Sequence, residues 1–148
     1  MQPENDAWTI YCDGSAVPNP GRMGLGAVVT APDGRRHPLS ITAEGRGCNN
    51  EAELRALMAA MQYAKQQGAA VLLIHCDNSV VVQQLMGTAT EPFLRLASMF
   101  DEVRAELRSF ESARLVWIPR HRNREADALA RAAVGLMPKS MPTARRRR

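Results

Sequence analysis

Four acidic residues sit where a carboxylate has little routine structural work to do. Asp13 closes the run 8–13 (WTIYCD), and Asp77 follows the run 71–76 (VLLIHC). Glu53 and Asp127 fall early in two stretches whose apolar residues recur at helical spacing. Carboxylates brought together repel and raise one another's pKa values. Hard cations make such a cluster tolerable, and oxygen-only ligands select Mg²⁺, with Mn²⁺ as the alternative, over zinc. Two such ions about 3.5–4 Å apart can activate a water and stabilise the leaving oxygen of a phosphodiester. No Cys/His spacing in the chain offers a competing zinc site.

Each acid also has a plainer reading. Glu53 lies three residues after Asn50 and could be its capping-box partner. Asp127 could be a first-turn acid favoured by the helix dipole. Asp13 could cap the turn at Gly14, and Asp77 the helix that follows it. The chemical reading requires all four to meet at one end of one sheet.

The elements that must bring them together can be read from periodicity. Residues 8–13 and 25–30 (LGAVVT) read as strands, separated by a Gly/Pro/Asn-rich loop at 14–24. Residues 36–43 read as a weaker third strand near an edge, because Pro38 cannot donate to a ladder. Leu54, Leu57, Met58, Met61 and Ala64 mark a helix from Asn50, stopped by Gly68. A buried strand at 71–76 follows, then a short helix at 78–86 and a longer one at 92–110 with Pro92 in its first turn. Residues 115–118 make a fifth strand, and Asn123 opens a last helix through Ala133. Tight loops make strands 1–3 antiparallel, while helical crossovers make strands 1, 4 and 5 parallel. The expected fold class is α/β, one mixed five-stranded sheet with helices on both faces. Asp13 and Asp77 then share the carboxyl ends of neighbouring strands, where sites form in such sheets.

The chain of 148 residues is 45% hydrophobic and 23% charged, which suits one domain with a sizeable core. The expected layout is an N-terminal extension at 1–7, a domain at 8–137 and a basic flexible tail at 138–148. No apolar run approaches the roughly 18–20 residues of a membrane helix. The polar, acidic stretch 1–7 lacks the basic start and apolar run of a secretory signal. Cys12, Cys48 and Cys76 are too few and scattered for a disulfide framework, so a cytoplasmic setting is expected. Cys12 and Cys76 each precede one of the acids. Their sulfurs could approach as a regulatory pair if their strands are neighbours; two ordinary small buried residues are the alternative.

Four motifs, taken together, resemble those of type 1 ribonucleases H. Asp13-Gly14-Ser15, Asn19-Pro20-Gly21 and Gly24-Leu25-Gly26 resemble the family's N-terminal signature. Asn49-Asn50-Glu51-Ala52-Glu53-Leu54 resembles its first-helix motif, and Cys76-Asp77-Asn78-Ser79 the end of its fourth strand. Asn123-Arg124-Glu125-Ala126-Asp127-Ala128-Leu129-Ala130 resembles its last-helix motif. The resemblance spans about residues 8–135, in the family's order. It implies a ribonuclease H-like fold and hydrolysis of the RNA strand of an RNA–DNA hybrid, leaving 5′-phosphate and 3′-hydroxyl ends. It also implies that Asp13, Glu53, Asp77 and Asp127 bind two metal ions, and that Asn19, Asn49 and Asn50 touch the hybrid's minor groove. Asn50 as a plain helix cap remains the rival reading.

Three features depart from the family pattern. The segment between Met86 and Pro92 is too short for the basic protrusion that grips the DNA strand in many members. His121 lies only six residues before Asp127, as in short-loop members; it either assists the chemistry or is an exposed loop residue. Ser79 stands where many members have a glutamine. The alternatives to a hybrid nuclease are a nuclease that also takes double-stranded RNA, and a non-catalytic hybrid-binding module. Nothing in the sequence demands a protein partner or more than a monomer.

Other conspicuous residues read as structural. Trp8 and Trp117 are expected in the core, and His75 as a satisfied buried histidine. The Gly21/Gly24/Gly26 pattern leads into a strand, so tight turning and close backbone approach explain it better than dinucleotide binding. Arg120, Arg122 and Arg124 could meet phosphates or form a solvated loop.

The net charge of +4 resides at the end of the chain. Lys139 and Arg145 to Arg148 account for five of the 19 basic residues, leaving 14 against 15 acidic in residues 1–138. Such a tail either attracts polyanions without sequence preference or is incidental. If it contacts phosphates, deleting Arg145 to Arg148 weakens nucleic-acid binding and flattens its salt dependence. An unchanged slope in a salt series of binding isotherms rules that contact out.

Overall fold

A computed structural model describes residues 6–136. The expected tail at 138–148 lies outside them, as does most of the expected N-terminal extension; Ala7 is the first residue of a strand. Among the described residues the order is β1 (Ala7–Val17), β2 (Gly21–Thr30), β3 (Arg36–Gly47), α1 (Asn49–Gln66), β4 (Val71–Cys76), α2 (Ser79–Met86), α3 (Ala97–Arg108), β5 (Ser112–Trp117) and α4 (Arg124–Ala133). Short 3₁₀ turns at Leu94–Leu96 and Arg120–Arg122 precede α3 and α4. Among the described residues no helix is long and apolar enough to cross a membrane.

The strands form one mixed sheet in the order β3-β2-β1-β4-β5. β1 and β3 each pair antiparallel with β2, and β4 pairs parallel with both β1 and β5. This is the expected topology. The first hairpin is longer than expected, because residues 14–17 and 21–24 continue the ladder and only Pro18–Pro20 turn. Asp13 therefore does not end its strand. The parallel pairing of β1 with β4 stops at Cys12 opposite Cys76, while the antiparallel pairing with β2 runs on to Val17 opposite Arg22. Asp13 is the first residue of β1 that β4 no longer accompanies.

Side chains alternate across the sheet, and the two faces are filled differently. Met23, Leu25, Ala27 and Val29 of β2 join Ile10, Leu54, Leu57, Met61, Ile74 and Phe100 in the main core beneath α1 and α3. On the other face, Gly24 and Gly26 of β2 meet α4, and here the packing is backbone to backbone. A Cβ on Gly26 would lie 2.2 Å from the carbonyl oxygen of Ala126. Gly14 does the same on the opposite face, where a Cβ would lie 2.2 Å from the carbonyl carbon of Ala52 in α1. Glycine at these two positions lets the helix carrying Glu53 lie against β1, which carries Asp13, and the helix carrying Asp127 lie against β2, whose Gly26 pairs with Asp13.

Three expectations fail for identifiable reasons. Pro92 does not start a long helix. Gln84 donates to the Glu91 carbonyl and accepts from the Phe93 N–H (3.2 Å), which pins this segment to α2 in an extended path, and α3 begins only at Ala97. Trp8 is in the core as expected, but Trp117 is about half exposed (49%). It is the last residue of the edge strand β5, and its indole N–H donates to the Asp77 carbonyl at 3.2 Å. His75 is half-buried rather than buried. Its Nδ1–H donates to the Ile10 carbonyl (3.1 Å), and its ring stacks on Tyr11.

Adding a methyl group at Gly26 should force α4 off the sheet. Gly26→Ala is expected to lower the unfolding free energy by about 1–3 kcal/mol, the usual range for overpacking. Urea denaturation measures this, and an unchanged midpoint would show that α4 retreats freely.

Candidate active site

Asp13, Glu53 and Asp77 come from β1, α1 and the residue after β4, and each offers a carboxylate oxygen within 4.8 Å of the other two. Asp13 is 8% exposed and Glu53 only 1%. Glu53 is no capping-box partner. Its Oε1 accepts the Gly14 N–H at 3.1 Å, and the same N–H lies 2.9 Å from Asp13 Oδ1. The backbone that approaches α1 so closely thus also donates to both acids. The helix caps fall elsewhere. Cys48, in extended conformation, caps α1 by accepting from the Glu51 N–H, and Asn78 caps α2 by accepting from the Val81 N–H. Neither Asn50 nor Asp77 acts as a cap, because the chain enters each helix one residue or more away from it.

Burial drives the electrostatics. Desolvation first, and the neighbouring charge of Asp77 second, push the Asp13 carboxyl up to about 8 from 3.8. A hydrogen bond with Glu53 pulls it down, and Asp127 raises it further through a hydrogen bond and its charge. Glu53 is raised well above its ordinary value, mainly by burial, then by the charges around it. Asp127 therefore lies beside Asp13, as expected, although it stands outside the tightest trio.

Asn123 is the residue that sequence reasoning undervalued. It was expected only to open the last helix, yet it is 2% exposed and its side chain makes no cap. Its Nδ2 donates to the Cys12 carbonyl at 2.9 Å and to Asp77 Oδ2 at 2.7 Å. Both partners are acceptors, which fixes the orientation of the amide. Asn123 thereby ties the start of α4 to β1 and aims the Asp77 carboxylate. The available signal was its place at the head of the Asn123–Ala130 motif.

The expected binding asparagines form a connected line at the α1 N-terminus. Asn19 Oδ1 accepts the Asn49 N–H at 3.0 Å, and Asn49 Oδ1 accepts the Ala16 N–H at 2.8 Å. Asn50 Oδ1 accepts from Asn78 Nδ2 at 2.8 Å. The hairpin turn, α1 and α2 are thus joined by amides. His121 is exposed in the Arg120–Arg122 turn, two residues before Asn123. Arg120, Arg122 and Arg124 are exposed with it, and Ser79 is exposed at the head of α2.

Comparison with known proteins agrees with this fold. A family model described as reverse transcriptase-like matches residues 11–133. The bifunctional protein Rv2228c of Mycobacterium tuberculosis is 36% identical over 126 residues, covering 84% of this chain. The chain spans only about a third of that relative's length (35%). The crystal structure of RNase H1 from the halophilic archaeon Halobacterium salinarum aligns with a TM-score of 0.81 at 32% identity, over 86% of this chain and 97% of that one. LC11-RNase H1, solved in complex with an RNA/DNA hybrid, aligns with a TM-score of 0.76 at 28% identity, over 86% and 96%. With the family model covering most of the chain and the sheet order shared with these structures, the chain belongs to the reverse transcriptase-like family and has the ribonuclease H fold of its type 1 members.

Proposed function

We propose that this chain is an endonuclease that hydrolyses the RNA strand of RNA–DNA hybrids, leaving 5′-phosphate and 3′-hydroxyl ends. The observation that carries the reading is the convergence of Asp13, Glu53 and Asp77, with Asp127 beside them, on a fold shared with RNase H1 structures. One of those structures holds an RNA/DNA hybrid.

The residues fit divalent cations. The donors are carboxylate oxygens, and Asp13 at about 8 marks a place where negative charge lacks compensation. Asp13, Glu53, Asp77 and Asp127 would hold a pair of Mg²⁺ ions, or Mn²⁺, which supply an activated water and stabilise the departing 3′-oxygen. Asn123 keeps Asp77 aimed, and the Gly14 N–H does the same for Glu53 and Asp13. Asn19, Asn49 and Asn50, linked at the α1 N-terminus, would meet the minor groove, where 2′-hydroxyls distinguish RNA. His121, exposed in the turn before Asn123, would assist proton transfer or product release. A second reading, a nuclease that also cuts double-stranded RNA, is favoured by the short passage from α2 to α3, which leaves no basic protrusion to select a DNA strand.

Labelled RNA–DNA hybrid, double-stranded RNA and double-stranded DNA, each with Mg²⁺, Mn²⁺ or EDTA, separate these readings. Metal-dependent cleavage of hybrid alone is expected, falling at least about a hundredfold in Asp13→Asn; even outer-shell losses at metal sites reach that size. Equal cutting of both RNA duplexes supports the second reading, and binding without cutting defeats both.

Stability should respond to pH and metal in step. Because folding raises the Asp13 carboxyl from 3.8 to about 8, its contribution is full below about pH 4 and is lost as pH climbs through 8. In EDTA the melting temperature of Asp13→Asn should therefore gain on the wild type as pH rises across that window. Saturating Mg²⁺ should reverse the gain in the wild type alone. A difference that stays flat with pH would mean that Asp13 is not held under this strain.

A further inference from the structure

Cys12 and Cys76 are directly opposed in the parallel register of β1 and β4, and both are fully buried. Each precedes one of the acids by one residue, so each turns to the other face of the sheet, into the core beneath α1. Their Sγ atoms are 3.2 Å apart, and all three cysteines of the chain are free thiols. Glu53 reaches the same spot, with its Oε2 3.8 Å from Cys12 Sγ. The three ligand atoms of Cys12, Glu53 and Cys76 all lie within 4.8 Å of one another. Glu53 is thus common to two candidate cation groups, one of oxygens only and one of two sulfurs and an oxygen.

From this we infer a second metal site in the floor of the acidic cluster, formed by Cys12, Cys76 and Glu53, that takes a thiophilic divalent ion such as Zn²⁺ or Cd²⁺ and withdraws Glu53 from the oxygen site above.

The chemistry of the donors separates the two groups. Carboxylates suit Mg²⁺ and Mn²⁺, whereas thiolates select softer ions. Two sulfurs on one tetrahedral zinc stand roughly 3.8 Å apart, given bonds of about 2.3 Å. Small rotations of two side chains supply the difference from 3.2 Å. On binding, each thiol releases its proton to solvent and its sulfur forms a bond to the ion, with no change of oxidation state. Three protein ligands leave one position for water. Glu53 Oε1 is already held by the Gly14 N–H, so engaging Oε2 below leaves the residue little to offer above. The metal site stands by itself; its inhibitory consequence rests on the proposed nuclease activity.

Cadmium provides the test, in full-length protein carrying Cys48→Ser so that the half-buried thiol capping α1 contributes nothing. Excess Mg²⁺ occupies the oxygen site, and a non-thiol reductant keeps the cysteines free. A cadmium–thiolate charge-transfer band should grow and saturate at one ion per chain. It should vanish when Cys12→Ala and Cys76→Ala are added. Because those changes touch the core, cadmium NMR of the Cys48→Ser protein alone gives an independent answer: a resonance typical of mixed sulfur and oxygen ligands is expected. An all-oxygen resonance, or no charge-transfer band, overturns the site. Filling it should slow Mg²⁺-dependent hybrid cleavage about tenfold or more. Unaltered cleavage with the band saturated overturns the competition for Glu53. A chain that binds Cd²⁺ through its thiols but never cuts hybrid keeps the sulfur site and removes the nuclease reading. Hybrid cutting without the band does the reverse.

Discussion

Three carboxylates whose oxygens lie within 4.8 Å push one another apart, and the surrounding backbone has to withstand that force. The fold answers with contacts that have no slack. Gly14 of β1 and Gly26 of β2 put two helices at main-chain contact with a pair of hydrogen-bonded strands, so neither helix can slide without moving the strand beneath it. Hydrogen bonds from the Gly14 N–H and from Asn123 then fix the acids individually. A surface loop could not hold the same groups at this separation, because it would relax until they spread.

The sheet explains why the acids meet at all. β1 lies at the centre, antiparallel to one neighbour and parallel to the other. Asp13 sits on it where β4 ends, and Asp77 is the first residue past that end. The two acids are therefore far apart in sequence and adjacent in space without any long loop between their strands. α1 and α4 approach from opposite faces and each adds an acid. The core beneath α1 gives the assembly its rigidity, with Ile10, Leu54, Leu57 and Ile74 fully buried behind the site.

Much of this was legible in the sequence. The change from alternating to helical periodicity at Asn50 located α1, and the run 71–76 gave β4 to the residue. Antiparallel and parallel pairings followed from loop length. The gathering of the acids followed once the strand neighbours were assigned. What escaped was set by partners distant in the chain. Strand pairing carried β1 to Val17 and began β2 at Gly21, through a stretch whose glycines and flanking prolines read locally as one loop. Gln84 held residues 91–93 out of a helix that Pro92 alone would have begun. Trp117 looked like core because its residue type is usually buried; its place at the end of an edge strand exposed it. Asn123 has no apolar neighbour pattern to flag it, and its importance lies in a bond to Asp77, 46 residues away.

The split loyalty of β1 also separates the rim around the acids from the floor beneath them. Because β4 leaves it at Cys12 while β2 continues to Val17, the sheet opens there like a fork, with the acids in the crotch. The hairpin tip at Pro18–Pro20 lies on one prong and the passage from α2 to α3 departs from the other. The spacing of the carboxylates is set behind both, by the β1–β4 pairing and by the Gly14 N–H. The rim and the floor around the carboxylates are therefore built from different stretches of the chain.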